Sequence, residues 1–273
     1  MELWRMNQEQ HLAASQSLLR AELPGLHEAE TQAVTANAPE DENEDDIPSA
    51  VYLEYSAKYN ETCAKLHTHH LEDLFVKPDL CFSRRRVQEI LIDLVLTTSA
   101  VFTEHGITHF LDSGTLLGSY RHKSVIPHDV DSDMGIDAAG YETIKRTPIQ
   151  FPPEYYFQAF DTDIHPKGTR YIELPVRVIH RESALYLDVF VYIDSVDDEG
   201  NEWTGPLASN AFYYCHKCPE REDGDRELKM PRDWVYPLQD CRFAKHTLKC
   251  PAKTEKYLDH MFGENYMEPD NFY

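Results

Sequence analysis

Three aspartates spaced two residues apart are the residues of this chain that could do chemistry most directly. Asp129, Asp131 and Asp133 stand among apolar residues in the segment Val125–Ile136. Residues two apart on a strand point to the same face of a sheet, so the three carboxylates would lie side by side and repel one another. A divalent cation would remove that repulsion. The spacing therefore predicts a site where Mg²⁺ or Mn²⁺ holds phosphate oxygens.

Two other interpretations of the aspartates lead away from a phosphate site. An EF-hand calcium loop has acids at the same spacing, but it needs glycine at its sixth position and glutamate at its twelfth. Met134 and Gly140 occupy those positions, which excludes this loop. A solvated acidic turn on the surface is the plainer alternative. The apolar neighbours of the aspartates, such as Val130 and Ile136, weigh against it.

Residues near the aspartates could bind the phosphate groups of a donor. Gly118 and Ser119 are predicted to form a turn where a backbone N–H and a hydroxyl face a phosphate. A plain glycine at the end of a helix is the alternative. Arg121, which follows, would suit a donor diphosphate through fork-like hydrogen bonds. Arg170 and Arg177 are weaker candidates, because arginines commonly pair with surface acids.

A further carboxylate should come from a neighbouring strand, because two carboxylates rarely complete a metal–phosphate site. Asp188 lies inside the apolar segment Tyr186–Ile193, and a buried carboxylate without a partner is costly. We predict that Asp131, Asp133 and Asp188 hold the metal and that Asp129 or Asp188 acts as the base. The alternative for Asp188 is a strand-end aspartate satisfied by backbone donors.

Helical and strand-like segments alternate along the later part of the chain. Apolar residues at helical spacing predict a helix over Arg84–Gly106 that Ser83 caps. A strand over Ile107–Asp112 follows, and then a short helix that Ser113 caps and that continues through Tyr120. The other predicted elements are strands near Asp131–Ile136, Tyr155–Phe160, Arg170–Leu174, Val176–His180 and Leu185–Ile193, and a helix over Lys253–Phe262. The pattern predicts an α/β (α+β) domain, a small mixed sheet flanked by helices.

The charge distribution separates the first fifty residues from the rest. Residues 1–50 contain eleven acids and two arginines, and so carry −9 of the formal net charge of −22. We predict that residues 1–50 form a disordered acidic leader and that residues 51–273 form the domain. So acidic a chain is not expected to bind a nucleic-acid polymer, which requires clustered Lys and Arg. The sequence has no run of eighteen apolar residues and no visible secretory signal, so we predict no membrane span.

Four segments of the sequence resemble one known protein family. They are Asp112–His122 (DSGTLLGSYRH), Val125–Gly135 (VIPHDVDSDMG), Asp188–Phe190 (DVF) and Lys256–Met267 (KYLDHMFGENYM). These motifs are similar to those of the LicD, fukutin and fukutin-related protein family. The resemblance implies a nucleotidyltransferase-like fold around the acidic residues.

The resemblance, which spans about residues 80–267, also implies an activity. It implies transfer of a phospho-alditol group (ribitol phosphate-like) or phosphocholine from a CDP-activated donor to a hydroxyl of a glycan or glycoprotein, with release of CMP, in the Golgi lumen. Two alternatives stay open: a non-catalytic nucleotide- or glycan-binding member of the same fold, and an Asp-x-Asp glycosyltransferase that uses a nucleotide sugar. Family members usually carry tryptophan, and often aspartate, where this chain has His128 and Val130. We interpret His128 as a packing residue.

The six cysteines of the chain raise a separate question. Cys215 and Cys218 have the spacing of half a zinc site, but Cys241 and Cys250 do not supply the second half. Disulfides, free thiols and a structural zinc ion all remain open, and we favour either of the first two over zinc.

Overall fold

The structure, a computed structural model, describes residues 64, 66, 71–77, 80–167, 174–207, 215–220 and 226–268. The described helices are α1 (Arg84–Glu104), α2 (Ser113–His122), α3 (Ala138–Arg146), α4 (Arg232–Val235) and α5 (Thr254–Phe262). The described strands are β1 (His109–Leu111), β2 (Ser132–Asp137), β3 (Tyr155–Ala159), β4 (Val176–His180), β5 (Tyr186–Val196), β6 (Glu202–Pro206), β7 (Met230–Pro231), β8 (Gln239–Phe243) and β9 (His246–Cys250). The predicted leader, residues 1–50, lies outside the described residues, so the leader and the domain boundary stay predictions.

Seven of the described strands form one mixed sheet. Five of them follow the order β1-β2-β5-β4-β3, and β6 pairs with the far end of β5 and with β7. The pair β2 and β5 is parallel, whereas the other neighbouring pairs are antiparallel. Helices flank this sheet, which confirms the predicted α/β (α+β) class.

Helix α1 forms because its apolar residues recur at helical spacing and bury one side against the sheet. Leu91, Leu94 and Phe102 are fully buried in the core, and each such side chain contributes about 1.5–3 kcal/mol by its removal from water. The Ser83 side chain caps the first turn, and Gly106, at a φ of +65°, follows the end of the helix. The predicted helix is confirmed, with its end two residues earlier than expected.

Helix α2 differs from its prediction at both ends. Asp112 is its N-cap, whereas the sequence analysis predicts that Ser113 caps it, and the helix continues to His122. Gly118 and Ser119 therefore lie inside the helix, before its end at His122, and do not form the predicted turn.

Two elements near the C-terminus carry disulfides. Strands β8 and β9, which the sequence did not predict, pair as a separate hairpin, and a disulfide joins Cys241 to Cys250 across it. A second disulfide joins Cys215 to Cys218, and Cys81 is also disulfide-bonded. The disulfide alternative is therefore confirmed for the five cysteines that the structure describes, and the free-thiol alternative is wrong for them.

The other predicted elements are found close to their expected places. Strands β3, β4 and β5 and helix α5 coincide with four of the predicted segments. Most of the predicted strand Arg170–Leu174, including Arg170, lies outside the described residues. Within the described ranges no helix has both the length and the apolar character needed to cross a bilayer.

Candidate active site

The three predicted aspartates meet at the start of β2. Asp129 and Asp131 precede this strand, and Asp133 lies within it. All three are half-buried residues, and the carboxylates of Asp129 and Asp133 are so enclosed that burial raises the pKa of each well above the usual range. The carboxylate of Asp131 raises the pKa of both further. Such mutual repulsion would be relieved by a bound cation.

Strand pairing places two more charged residues beside Asp133. Asp133 stands opposite Asp188 in the parallel pair of β2 and β5, and Asp188 stands opposite Arg177 in the antiparallel pair of β5 and β4. Side chains directly opposite on neighbouring strands project to the same face. The three residues therefore form a row across three strands, and Asp188 contributes to the raised pKa of Asp133.

Asp188 is not the unpaired carboxylate that the sequence predicts. Its two oxygens accept hydrogen bonds from Arg177 at 2.6 and 2.8 Å, and Arg177 also donates to Glu72 at 3.1 Å. All three residues are buried. A charged partner offsets much of the cost of desolvating each group. The apolar strand tolerates Asp188 because of Arg177, and the metal-binding role of Asp188 stays a prediction.

The first turn of α2 faces the same carboxylates. A methyl group added at Gly114 would lie 3.2 Å from Asp129 Oδ2 and 3.8 Å from Asp133 Oδ2. The backbone N–H groups of a first helical turn have no carbonyl partner within the helix and form the positive end of its dipole. Such a helix end suits a phosphate group. The site therefore combines carboxylates that suit a cation with N–H groups that suit an anion.

Hydrogen bonds hold this helical turn against β2. Asp133 N donates to the hydroxyl of Thr115 at 2.8 Å, and Asp112 N donates to the carbonyl of Asp133 at 3.3 Å. The side chain and the backbone of the first turn of α2 thus bind the start of the strand. This contact fixes the position of Gly114 relative to the carboxylates.

Helix α1 holds the loop that leads to the aspartates. Gln88 Nε2 donates to the carbonyl of Pro127 at 2.8 Å, and Arg84 Nη1 donates to the carbonyl of His128 at 3.1 Å. Arg84 is buried, and its positive charge lowers the pKa of Asp129. Arg84 is not among the residues predicted from the sequence. The sequence does contain one signal, because an arginine in the first turn of a helix opposes the helix dipole and so needs another reason to be there.

Gly118 and Ser119 have packing roles in α2. A methyl group at Gly118 would lie 2.5 Å from the carbonyl oxygen of Ser124, so only glycine lets the following loop approach this closely. The hydroxyl of Ser119 donates to the carbonyl of Arg242 at 2.7 Å, which ties α2 to the β8–β9 hairpin. Both residues lie within a helix and not in a turn, and Gly114 is the glycine that faces the carboxylates. Contact of Gly118 and Ser119 with a donor phosphate stays a prediction.

Asp112 connects the start of α2 to two distant tyrosines. Its carboxylate accepts hydrogen bonds from Ser113 N at 2.7 Å, from the hydroxyl of Tyr192 at 2.9 Å and from the hydroxyl of Tyr257. Burial raises the pKa of Asp112, while these hydrogen bonds lower it. Ser113 has a φ of +47°, which is unfavourable for a residue with a side chain. The tyrosine hydroxyls of β5 and α5 thus hold the start of α2, where the backbone of Ser113 is strained.

The arrangement of strand, glycine-containing helix and aspartates agrees with a family-level match. A sequence model described as the nucleotidyltransferase domain of LicD/FKTN/FKRP matches residues 106–253, more than half of the chain. The chain belongs to this family. The range matched by the LicD/FKTN/FKRP domain contains the three aspartates, the first turn of α2, and both Asp188 and Arg177.

Curated proteins with similar regions include two from Rickettsia and one from Haemophilus. An uncharacterised protein of Rickettsia typhi is 30% identical over 102 residues, which are 37% of this chain and 28% of that protein. An uncharacterised protein of Rickettsia prowazekii is 44% identical over 46 residues, 17% of each. The lipopolysaccharide cholinephosphotransferase LicD of Haemophilus influenzae is 26% identical over 122 residues, 42% of this chain and 46% of that protein. The chain thus spans less than half the length of each of these relatives.

Arg121 lies at the end of α2 away from Gly114. Seven helical residues separate the two, a rise of roughly 10 Å. Arg121 Nη1 donates to the carbonyl of Tyr266 at 3.2 Å and so anchors the C-terminal segment. The pKa of the buried His122 is lowered to about 3 by burial and by the nearby side chains of Arg121 and His128. Contact between Arg121 and a donor diphosphate stays a prediction.

Proposed function

We propose that this chain is a metal-dependent transferase of phospho-alditol or phosphocholine groups. The donor would be CDP-activated, the acceptor would be a hydroxyl of a glycan or glycoprotein, and CMP would be released. The observation that carries the proposal is the proximity of Gly114 to the carboxylates of Asp129 and Asp133. Membership of the LicD/FKTN/FKRP family supports a transferase, and the relative named cholinephosphotransferase supports this class of transferred group.

Asp131 and Asp133 are the residues that we propose as ligands of Mg²⁺ or Mn²⁺. Carboxylate oxygens are hard donors, which these ions prefer, and the repulsion among the enclosed carboxylates leaves negative charge for a cation to balance. When bound, the ion would neutralise charge that develops on the departing CMP. We retain Asp188 as a further ligand, because it lies opposite Asp133 in the parallel pair of β2 and β5.

The remaining residues would orient the donor and accept a proton. The N–H groups of the first turn of α2, around Gly114, would bind a phosphate oxygen of the donor. We propose Asp129 as the base for the glycan hydroxyl, in preference to Asp188, because both oxygens of Asp188 already accept hydrogen bonds from Arg177. Arg121, two helical turns away, would contact a more distant part of the donor.

We also propose the Golgi lumen as the place of action, following the family resemblance. A disulfide such as Cys241–Cys250 persists in the oxidising compartments of the secretory route. Immunofluorescence of the native protein together with a Golgi marker tests this location. A purely cytosolic distribution would contradict it.

A panel of activated donors tests the proposed reaction. The full chain is incubated with CDP-ribitol, CDP-glycerol, CDP-choline, UDP-sugars and GDP-sugars, each with Mg²⁺ and a mixture of oligosaccharide acceptors. We expect release of CMP from at least one CDP compound, and we expect a chelator to abolish it. Release of UDP or GDP would instead support a nucleotide-sugar glycosyltransferase. Tight binding of CDP without turnover of any donor would support a non-catalytic binding protein.

Gly114 and Gly118 provide a matched pair of substitutions. The methyl group of Gly114→Ala would press on Asp129 Oδ2, so we expect CMP release to fall by about tenfold or more while the free energy of unfolding changes by less than about 1 kcal/mol. Gly118→Ala instead meets the backbone of Ser124 at 2.5 Å and should cost about 1–3 kcal/mol of stability. Donor turnover and urea unfolding of both variants check this. If CMP release falls in both variants in the same proportion to the loss of unfolding free energy, the loss in Gly114→Ala comes from stability alone. Gly114 would then not belong to the site.

A further inference from the structure

A second cluster of potential metal ligands lies where the segment 215–220 meets the end of α5. Among the residues that the structure describes, the ligand atoms of Cys215, Cys218 and His260 lie within 4.8 Å of one another. Cys218 Sγ and His260 Nε2 are 3.4 Å apart, and both cysteines are buried. Two thiolates and an imidazole are donors that zinc prefers, whereas the acidic cluster at β2 offers carboxylate oxygens.

The disulfides at Cys241–Cys250 and Cys215–Cys218 differ in what they connect. The first joins neighbouring strands of the β8–β9 hairpin. The second closes a loop with a sequence separation of 3, and so short a loop removes little entropy from the unfolded chain. By itself it links the segment 215–220 to no other element. A metal ion that also bound His260 would make such a link to α5.

The position of the His260 ring suits a metal ligand. Its Nε2 faces Cys218 Sγ and, at 3.2 Å, the carbonyl of Lys229, and the ring of Trp234 packs against it edge to face. Because a carbonyl oxygen only accepts, Nε2 carries the ring proton here and donates it to Lys229. When an ion binds, that proton would move to Nδ1 and the Nε2 lone pair would face the metal in place of the carbonyl.

Hydrogen bonds hold the cysteine segment against α5 without help from the sulfur atoms. His216 N and Lys217 N donate to two carbonyls of α5 at 2.8 and 2.9 Å. The guanidinium of Arg226 donates to the carbonyls of Cys215 and His216 at 2.7 and 2.6 Å. Ligands that are already held in place lose little conformational freedom when an ion binds.

We propose that Cys215, Cys218 and His260 bind one zinc ion in the reduced protein, either before the Cys215–Cys218 disulfide forms or after it is reduced, with water as the fourth ligand. A dithiol reductant supplies the two electrons and two protons that convert the disulfide to two thiols, and zinc binding then releases both thiol protons. The ion would fix α5, which carries Tyr257, the hydrogen-bond donor to Asp112 at the start of α2. Its role would be to stabilise the fold next to the acidic site.

Metal titration of the full chain tests this proposal. The protein is reduced with dithiothreitol, stripped of metals with a chelator, freed of both reagents under nitrogen and titrated with Co²⁺ and then Zn²⁺. With Mg²⁺ in excess to fill the acidic site, we expect binding of one thiolate-bound Co²⁺ per chain, with near-ultraviolet absorption from cobalt–thiolate bonds, and its displacement by Zn²⁺. His260→Gln should weaken zinc binding by about tenfold or more. The double variant Cys241→Ser/Cys250→Ser is the matched control and should retain the site.

Thermal unfolding of the unmodified chain provides a readout that depends on no variant. In excess Mg²⁺, which fills the acidic site, zinc should raise the unfolding midpoint of the reduced protein and leave that of the oxidised protein unchanged. The proposal is wrong if the reduced chain binds neither ion, or if the control loses binding as fully as His260→Gln does. It is also wrong if zinc raises the midpoint equally in the oxidised protein.

Discussion

Replacing Asp133 by asparagine should reduce CMP release by roughly a hundredfold to a thousandfold. Asp133 lies in the row with Asp188 and close to Asp129 and Asp131, all of which raise its pKa. In our proposal it is a ligand of the ion, and an amide lacks the charge that holds a divalent cation. Steady-state assays at saturating Mg²⁺, with the best donor of the panel, measure this loss.

The stability of the Asp133→Asn variant separates a functional carboxylate from a structural one. Without metal, we expect its free energy of unfolding to be no lower than that of the unmodified chain, because the substitution removes one of several repelling charges. The stabilisation that Mg²⁺ gives the unmodified chain should disappear. Asp161→Asn removes an exposed carboxylate on the surface and should change neither property. Turnover by Asp133→Asn within about tenfold of the unmodified rate would contradict the metal site.

Replacing Arg177 by methionine should lower the free energy of unfolding by roughly 3–5 kcal/mol. The guanidinium binds Asp188 and Glu72, and all three side chains are buried. Its removal leaves two carboxylates in the core without a cation. A loss of this size is a large part of the stability of an ordinary domain. Urea unfolding followed by circular dichroism measures it.

Two further variants test the cause of that loss. The triple variant Glu72→Gln/Arg177→Met/Asp188→Asn removes the stranded charges and should recover much of the lost stability. Arg146→Met breaks an exposed ion pair with Glu142 and should cost less than about 1 kcal/mol. If the triple variant is as unstable as Arg177→Met, the stranded charges are not the cause. If it folds and still turns over the donor at the full rate, Asp188 is not a metal ligand.

Features that depend on local sequence were predictable here. The apolar spacing in Arg84–Glu104 fixes both the helix and its buried side, so α1 followed from the pattern alone. The alternation of aspartates with apolar residues located the acidic cluster. The strand that carries Asp188 was also identified, because it is long and almost entirely apolar.

Features that depend on register or on contacts distant in sequence were not predictable. The partner of Asp188 is Arg177, which follows only from the antiparallel register of β4 and β5, and Glu72 reaches the pair from 105 residues away in the sequence. Gly114, and not Gly118, faces the carboxylates because hydrogen bonds hold the first turn of α2 against β2, a contact that the sequence does not reveal. The pairing of cysteines likewise follows from the folded chain and not from spacing.

Calorimetric titration of CDP into the metal-free chain, with and without Mg²⁺, tests the central claim most directly. That claim is that the aspartates around Asp133 hold a divalent ion against the diphosphate of a CDP-linked donor. The account predicts that Mg²⁺ strengthens CDP binding to the unmodified chain by about tenfold or more and has no such effect on Asp133→Asn. Binding that is equally tight without Mg²⁺, or equally dependent on Mg²⁺ in the variant, would contradict it.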